Sequence, residues 1–237
     1  YLDLWDSFTE RISTIYLPDK KRPMIPPILT ETLLSLDEKE KRLCYALDIF
    51  FDEKNKIISQ KLKLCVAYIS KNYSHDQKAC YENNKYYKKI SEILKIKNSK
   101  DIVTHLMIHF NKYLANYLFS KNIGIYRHYH NMDRDEQLKN NNHETTNIPK
   151  DVLFHISNFK THSSKYCLLH NYCTNSQESY DLYLQASSPI RRIVDVINNI
   201  ALLKVLLCTN SKFQKANKFY DFWTSCEQIE YINISSR

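Results

Sequence analysis

Residues 183–199 read YLQASSPIRRIVDVINN, and the way this stretch folds decides how the rest of the chain is arranged. A proline costs little in a first helical turn, because its missing N–H would be unpaired there. Ser187 and Ser188 are natural N-cap candidates. Behind them Ile190, Ile193, Val194, Ile197 and Ala201 recur at helical spacing. The stretch therefore predicts a helix that opens with free backbone N–H groups and two adjacent guanidiniums, Arg191 and Arg192. That combination suits an anionic oxygen such as a phosphate. Neighbouring helical residues point about 100° apart, so one guanidinium faces a site and the other a structural partner. The competing reading is a helix start pinned by Asp or Glu.

The chain around it has 237 residues, 43% hydrophobic and 25% charged, which is enough to bury a core in one large domain or two small ones. No run approaches twenty apolar residues. The segment from Ile200 to Cys208 is interrupted by Lys204, so no membrane span is expected. The opening YLDLWDSFTERI lacks the basic and apolar regions of a signal peptide. It also begins without Met, which points to a fragment or a processed piece. Seven cysteines with no C-x-x-C pair favour reduced thiols and a cytoplasmic compartment.

The formal net charge of +8 is consistent with a polyanionic partner. Its distribution is uneven. Residues 1–60 hold nine Lys/Arg against eleven Asp/Glu, and the remainder holds twenty-five against fifteen.

Residues 1–12 read as a short helix, followed by the proline-rich YLPDKKRPMIPPILTETLLSL, extended and then briefly helical near 29–36. Residues 42–51 and 57–68 read as two strands of a hairpin joined by DEKNK, a turn without glycine. From about residue 74 the chain becomes mostly helical. Residues 101–120 place Ile102, Val103, Leu106, Met107, Phe110, Leu114 and Leu118 on one face. Residues 132–150 are polar and low in complexity, a candidate mobile loop. Further helices are expected near 150–158, 189–208 and 213–232. Strands followed by a run of helices predict an α+β fold.

The remaining clusters carry bland readings beside the sharp ones. Cys167, His170 and Cys173 offer zinc-type ligands at a spacing that lacks a fourth donor. His105 and His109 share a helical face, but no carboxylate stands in register to make a hydrolase motif, and a packed or solvated pair is the simpler reading. The YRHYH of residues 126–130 suits base stacking, or a strand end covered by tyrosines. No glycine-rich phosphate loop is possible with one glycine. The closest approach to an aspartate cluster is Asp3 with Asp6, spaced D-x-x-D, and Asp133 with Asp135, whereas two-metal hydrolysis needs several converging carboxylates.

Several blocks together resemble the catalytic (RNB) domain of the RNase II and RNase R exoribonucleases. TIYLPDKKRPMIPPILTETLLSL (14–36) is similar to the family's "YLP…PM-x-P…L-x-S-L" passage, and Arg42 and the hairpin follow in order. KNYSHDQ (71–77), IVTHLMIHFNKYLANYL (102–118) and GIYRHYH (124–130) resemble later family segments. YLQASSPIRRIVDVIN (183–198) is the sharpest match, to "Y-x-x-x-T-S-P-I-R-R-x-x-D". Gln185 and the following VDVIN look closer to divergent members from large DNA viruses.

The resemblance implies an α+β, RNB-like domain with N-terminal strands and hairpin packed against a mostly helical C-terminal part. Residues 1–237 would form a single partial domain whose aspartate-cluster part lies upstream. It implies a cytoplasmic 3′→5′ exoribonuclease that hydrolyses single-stranded RNA to nucleoside 5′-monophosphates with Mg²⁺, whose ligands lie outside this chain. Arg191 would contact the scissile phosphate region, and Tyr16 would stack near the RNA 3′ end. His75, Arg127 and Arg192 would line the RNA path, while Ser187, Ser188 and Asp195 would structure and orient.

Two departures touch sugar recognition. His75 stands where the family usually has a tyrosine, and Thr104 stands where bacterial members have a glutamate reading the 2′-OH. A catalytically inactive RNA-binding remnant is the first alternative reading. A helical interaction module without a nucleic-acid role is the second.

Overall fold

A computed structural model describes residues 11–76, 78–129, 164–169, 182–207 and 214–236. The expected helix over 1–12 falls almost wholly outside them, as do the 132–150 loop, the 150–158 helix, His170 and Cys173. The chain divides into two compact units. The first comprises Asp3–Leu114 with Ala186–Val196, and the second Ala115–Gln185 with Ile197–Arg237.

In the first unit, residues 12–16 run extended. They bridge Ser13 to Arg192 and then form β1 (Ile15–Tyr16), antiparallel to β2 (Lys21–Arg22). The prolines that follow open α1 (Pro27–Leu29), which continues as a π-helical turn over Thr30–Leu34. Arg42 staples that turn: its Nε donates to the Ser35 carbonyl at 2.9 Å and an Nη donates to the Thr32 carbonyl at 3.0 Å.

The expected hairpin is β3 (Lys41–Phe51) and β4 (Ile57–Tyr68), antiparallel from Lys41–Tyr68 to Phe51–Ile57 with an irregularity at Phe50/Phe51. Its turn needs no glycine. Asn55 takes the left-handed conformation at φ 60°. The Asp52 carboxylate accepts the Lys54 and Lys56 N–H groups at 2.9 and 2.7 Å.

Three helices follow: α2 (Lys78–Tyr81) and α3 (Lys85–Leu94) in the first unit, and α4 (Ser99–Phe119), which runs from the first unit's residues into the second's at Ala115. Asn84 caps α3 by accepting the Tyr86 and Tyr87 N–H groups. The apolar face of α4 differs from the expected one. Ile102, Leu114 and Leu118 are buried, whereas Val103 is exposed, and Asn111 and Ala115 are buried instead. His105 is exposed, while Nε2 of His109 lies 2.6 Å from Oε1 of Gln60 on β4. The histidine pair is thus tied to packing at one member and solvated at the other.

The second unit contains strands as well as helices. Strand β5 (Ile125–Tyr129) pairs antiparallel with β6 (Ser164–Leu168), a strand the sequence pattern did not suggest. The single glycine, Gly124, precedes β5 at φ 113°, and a Cβ there would meet Oδ1 of Asn198 at 3.4 Å.

Helix α5 (Ile193–Leu206) crosses from the first unit's residues to the second's. Ile193, Val194, Ile197, Ile200, Ala201 and Leu202 are all buried along it, and so are the polar Asp195 and Asn198, so the helix is buried on several sides. It starts four residues later than expected, and Ser187 and Ser188 do not cap it; Pro189–Arg191 form a turn instead. The helix expected over 213–232 is two, α6 (Gln214–Trp223) and α7 (Cys226–Ser235). Ser225 caps α7 by accepting the Gln228 N–H, so the break is encoded by a capping residue.

Candidate nucleic-acid interface

In the first unit the Ser-Ser-Pro-Ile-Arg-Arg turn is held by main-chain bonds to the strand that carries Tyr16. The Thr14 N–H donates to the Arg191 carbonyl at 2.9 Å, and the Ile193 N–H donates to the Ile12 carbonyl at 2.8 Å. Tyr16 lies two residues beyond Thr14 on the same extended segment. Two blocks about 175 residues apart in sequence are therefore joined by their backbones, while local bonds shape each one. The Arg191 N–H closes the turn on the Ser188 carbonyl at 3.1 Å.

The two arginines have different surroundings. Nε of Arg192 donates to Oδ2 of Asp195 at 2.7 Å, and its Nη2 donates to Oδ1 at 2.9 Å. The Ser188 N–H also donates to that Oδ1, at 2.7 Å. Asp195 is fully buried, so its charge is matched by a bidentate guanidinium and a backbone donor, the pairing a buried carboxylate requires. Arg191 is exposed, and among the described residues its guanidinium has no hydrogen bond or ion pair. Arg192 thus has the structural partner expected of one of the two, the carboxylate that the competing reading also called for, whereas Arg191 is open to solvent. The reason is the turn that precedes α5, not an offset around a helix.

Ser187 contributes a buried hydroxyl with no partner among the described residues. An unsatisfied buried hydroxyl costs about 1–3 kcal/mol.

Tyr16 is 64% exposed, and on β2 its register partner is Lys21. Lys20, Lys21, Arg22 and Arg11 are exposed as well. The Leu17 N–H bonds the Lys20 carbonyl at 2.8 Å, which folds this basic run tightly back on the tyrosine. The DKKR run of residues 19–22 is a local basic signal inside a segment, 1–60, whose overall balance is slightly acidic. Asp19 is the one acidic residue within it.

His75 sits elsewhere in the first unit, half-buried. Its Nδ1 lies 2.8 Å from the Ser99 hydroxyl. The Tyr81 hydroxyl donates to the His75 carbonyl at 3.1 Å and lies 3.1 Å from the same Ser99 oxygen. Tyr73 and Tyr87 pack on the Tyr81 ring at 6.4 and 4.9 Å between centroids. The imidazole thus belongs to a packed polar and aromatic cluster.

Arg127 lies in the second unit, on β5, where its N–H donates to the Tyr183 carbonyl at 2.9 Å. Tyr126 of the YRHYH run is wholly buried, so this part of the run is a covered strand. Cys167 lies on β6. Among the described residues no group of three or more His, Cys, Asp or Glu side chains could hold a metal ion. Asp195 is already satisfied by Arg192 and Ser188. The described residues therefore do not fit a Mg²⁺ centre. No helix among them is long and apolar enough to cross a membrane.

Residues 2–85 match the family model of the RNB domain. The fold is the RNB fold. The apo form of Mycoplasma genitalium RNase R superimposes with a TM-score of 0.70 at 16% identity, covering 99% of this chain and 48% of that one. The same enzyme in complex with ribose-methylated single-stranded RNA gives 0.68, again at 16% identity, with coverages of 99% and 48%. Yeast Ssd1, described as a pseudonuclease, gives 0.67 at 14% identity, covering 94% of this chain and 37% of that one. The chain thus spans about half the length of the RNase R structures it matches. No curated protein matches it. The α+β reading and the likeness to the RNB domain both hold.

Proposed function

We propose that this chain is a catalytic-domain segment of a cytoplasmic 3′→5′ exoribonuclease that degrades single-stranded RNA to nucleoside 5′-monophosphates. The observation that carries the reading is the unengaged guanidinium of Arg191. It sits on a turn that Arg192 and Ser188 hold in place through the buried Asp195, bonded to the strand bearing the exposed Tyr16.

Arg191 donates to the non-bridging oxygens of the scissile phosphate and offsets charge as it grows there. Tyr16 stacks on a 3′-terminal base, and Lys20, Lys21 and Arg22 neutralise backbone phosphates beside it. Arg192 acts through Asp195 by fixing the turn. His75 and Arg127 are each proposed as RNA contacts within their own units. Turnover requires Mg²⁺ in the whole protein, held by carboxylates other than those of the described residues.

The test is Arg191→Ala in the full protein, assayed on a single-stranded oligoribonucleotide. Turnover is expected to fall roughly 10²–10³-fold, the scale of losing one transition-state donor. The RNA dissociation constant should rise less than about tenfold. Equal losses in both would remove the transition-state role.

The second reading is an inactive RNA-binding protein. The missing metal-ligand cluster among the described residues and the likeness to a pseudonuclease favour it. It predicts salt-sensitive RNA binding with no Mg²⁺-dependent release of mononucleotide.

A further inference from the structure

Cys44 and Cys65 are register partners at the middle of the β3–β4 hairpin, with their sulfurs 3.8 Å apart. Both are free thiols and both are partly exposed, so a small solute can reach them. Directly opposed residues of an antiparallel pair have Cα atoms about 4.5–5.5 Å apart, inside the roughly 4.4–6.8 Å that a disulfide spans. Closing 3.8 Å to a bond therefore needs side-chain rotation and no change of register.

The surroundings separate this pair from the other described cysteines. Cys167 bonds the Tyr126 carbonyl, and Cys226 is exposed near the capped start of α7. Nothing around the pair supplies a third metal ligand among the described residues. Lys63 flanks Cys65 on the same strand face and is ion-paired with Asp48 at 2.6 Å. Burial and the hydrogen bond to Cys65 push the Cys44 thiol above its ordinary value, which lowers its thiolate fraction and slows its attack on an oxidant. What favours the disulfide is the closeness of the two sulfurs.

We infer that Cys44 and Cys65 form an oxidisable dithiol, a modification site at which a hydroperoxide closes a reversible cross-strand disulfide. One sulfur, as its thiolate, attacks the near oxygen of the hydroperoxide. The O–O bond breaks, the alkoxide leaves and takes a proton, and a sulfenic acid remains. The second sulfur attacks that sulfenic sulfur; the S–S bond forms, the S–O bond breaks, and water departs with the second thiol proton. Two thiols and one hydroperoxide give one disulfide, one alcohol and one water. A dithiol reductant restores the starting state.

The consequence falls on the hairpin. A two-stranded ribbon is weakly stable by itself. A link across its middle, closing a sequence separation of 21 residues, restricts both fraying and the unfolded chain. The site stands on the hairpin alone and holds whether or not the chain degrades RNA.

The experiment treats the reduced 237-residue chain with a stoichiometric hydroperoxide, followed by intact mass and peptide mapping. The expected result is loss of two hydrogens, a Cys44–Cys65 linked peptide pair, and a rise in melting temperature of roughly 5–10 °C that dithiothreitol reverses. With Cys44→Ser the linked pair should vanish, and Cys65 should stop at a sulfenic acid trapped by a dimedone probe. A map showing a different pair, over-oxidation of either sulfur without a link, or no change at these residues overturns the proposal. The wild-type map decides by itself if the serine variant fails to fold.

Discussion

The two larger antiparallel pairs among the described residues secure their edges in opposite ways. In the first unit, β3 and β4 are long, joined by a five-residue turn, and paired along nearly their whole length. In the second, β5 and β6 pair over five residues and are separated in sequence by residues 130–163. The long pair leaves large side chains open, with Leu43 71% and Val66 64% exposed. The short pair has an asparagine amide on each outer edge, and on β5 the 183–184 segment adds a bridge between Tyr126 and Leu184 and the Arg127 N–H bond to the Tyr183 carbonyl. On β5, Oδ1 of Asn198 accepts the Ile125 N–H at 2.8 Å, and Nδ2 donates to the Ile125 and Gln185 carbonyls at 3.0 and 2.9 Å. On β6, Oδ1 of Asn233 accepts the Tyr166 N–H at 2.7 Å, and its Nδ2 donates to the Tyr166 carbonyl at 2.9 Å. A primary amide has the donor and acceptor of a peptide group, so each asparagine does for one residue what a further strand would do for a row.

The sharpest way to break that contrast is Asn198→Ala. Asn198 is wholly buried, and its loss strands one N–H and two carbonyls with no water to replace the amide. Three net hydrogen bonds at about 1 kcal/mol each, and the penalty for leaving buried partners unmade, give an expected loss of roughly 3–4 kcal/mol. Chemical denaturation of the chain measures it. Asn233→Ala breaks the other edge, where the partners are only part-buried and water can intervene, so about 1–2 kcal/mol is expected. A loss at Asn233 equal to that at Asn198 would show that burial does not set the difference.

How much of this was legible in the sequence follows the same divide. The β3–β4 hairpin was readable because its apolar runs are adjacent and its turn is short and polar. The β5–β6 pair was not, because SKYCL lacks strong alternation and its partner is remote in sequence. Asparagines that act as edge caps look like any other polar residue in a helix. At the candidate site, the SSPIRR turn announced a split between two arginines. Which arginine would be engaged depended on Asp195 folding back over Ser188, a tertiary matter. The DKKR run was visible as charge, but its place beside Tyr16 required the pairing of β1 with β2.

The hairpin has its own internal contrast, which pH can expose. Tyr45 lies on the same face as Leu43 but further toward the turn, and burial pushes its phenol up to about 12. The neutral ring is favoured in the folded state. Its contribution is complete below the ordinary phenol value of about 10 and is lost as pH rises through about 12, because the unfolded chain releases its proton first. After allowance for the part of the ring that water still reaches, about 1 kcal/mol is at stake. Tyr45→Phe should flatten the stability profile between those pH values relative to wild type. An unchanged slope would mean the phenol is not desolvated.

The smallest expected effect tests the open end of the same face. Leu43→Lys places a charge where 71% of the side chain already meets solvent. Cross-strand contact with Val66 is worth only a few tenths of a kcal/mol, and the lysine stem keeps part of that contact while its ammonium stays hydrated. The stability of the chain should move by less than about 0.5 kcal/mol. The measurement gains meaning when repeated in the longest protein that contains this chain. An effect that stays small there marks Leu43 and Val66 as solvent-facing residues of an edge that tolerates charge. A loss several times larger only in the longer protein would mean that another segment covers the pair, so that the open hairpin gains by burial what the asparagines give the short pair.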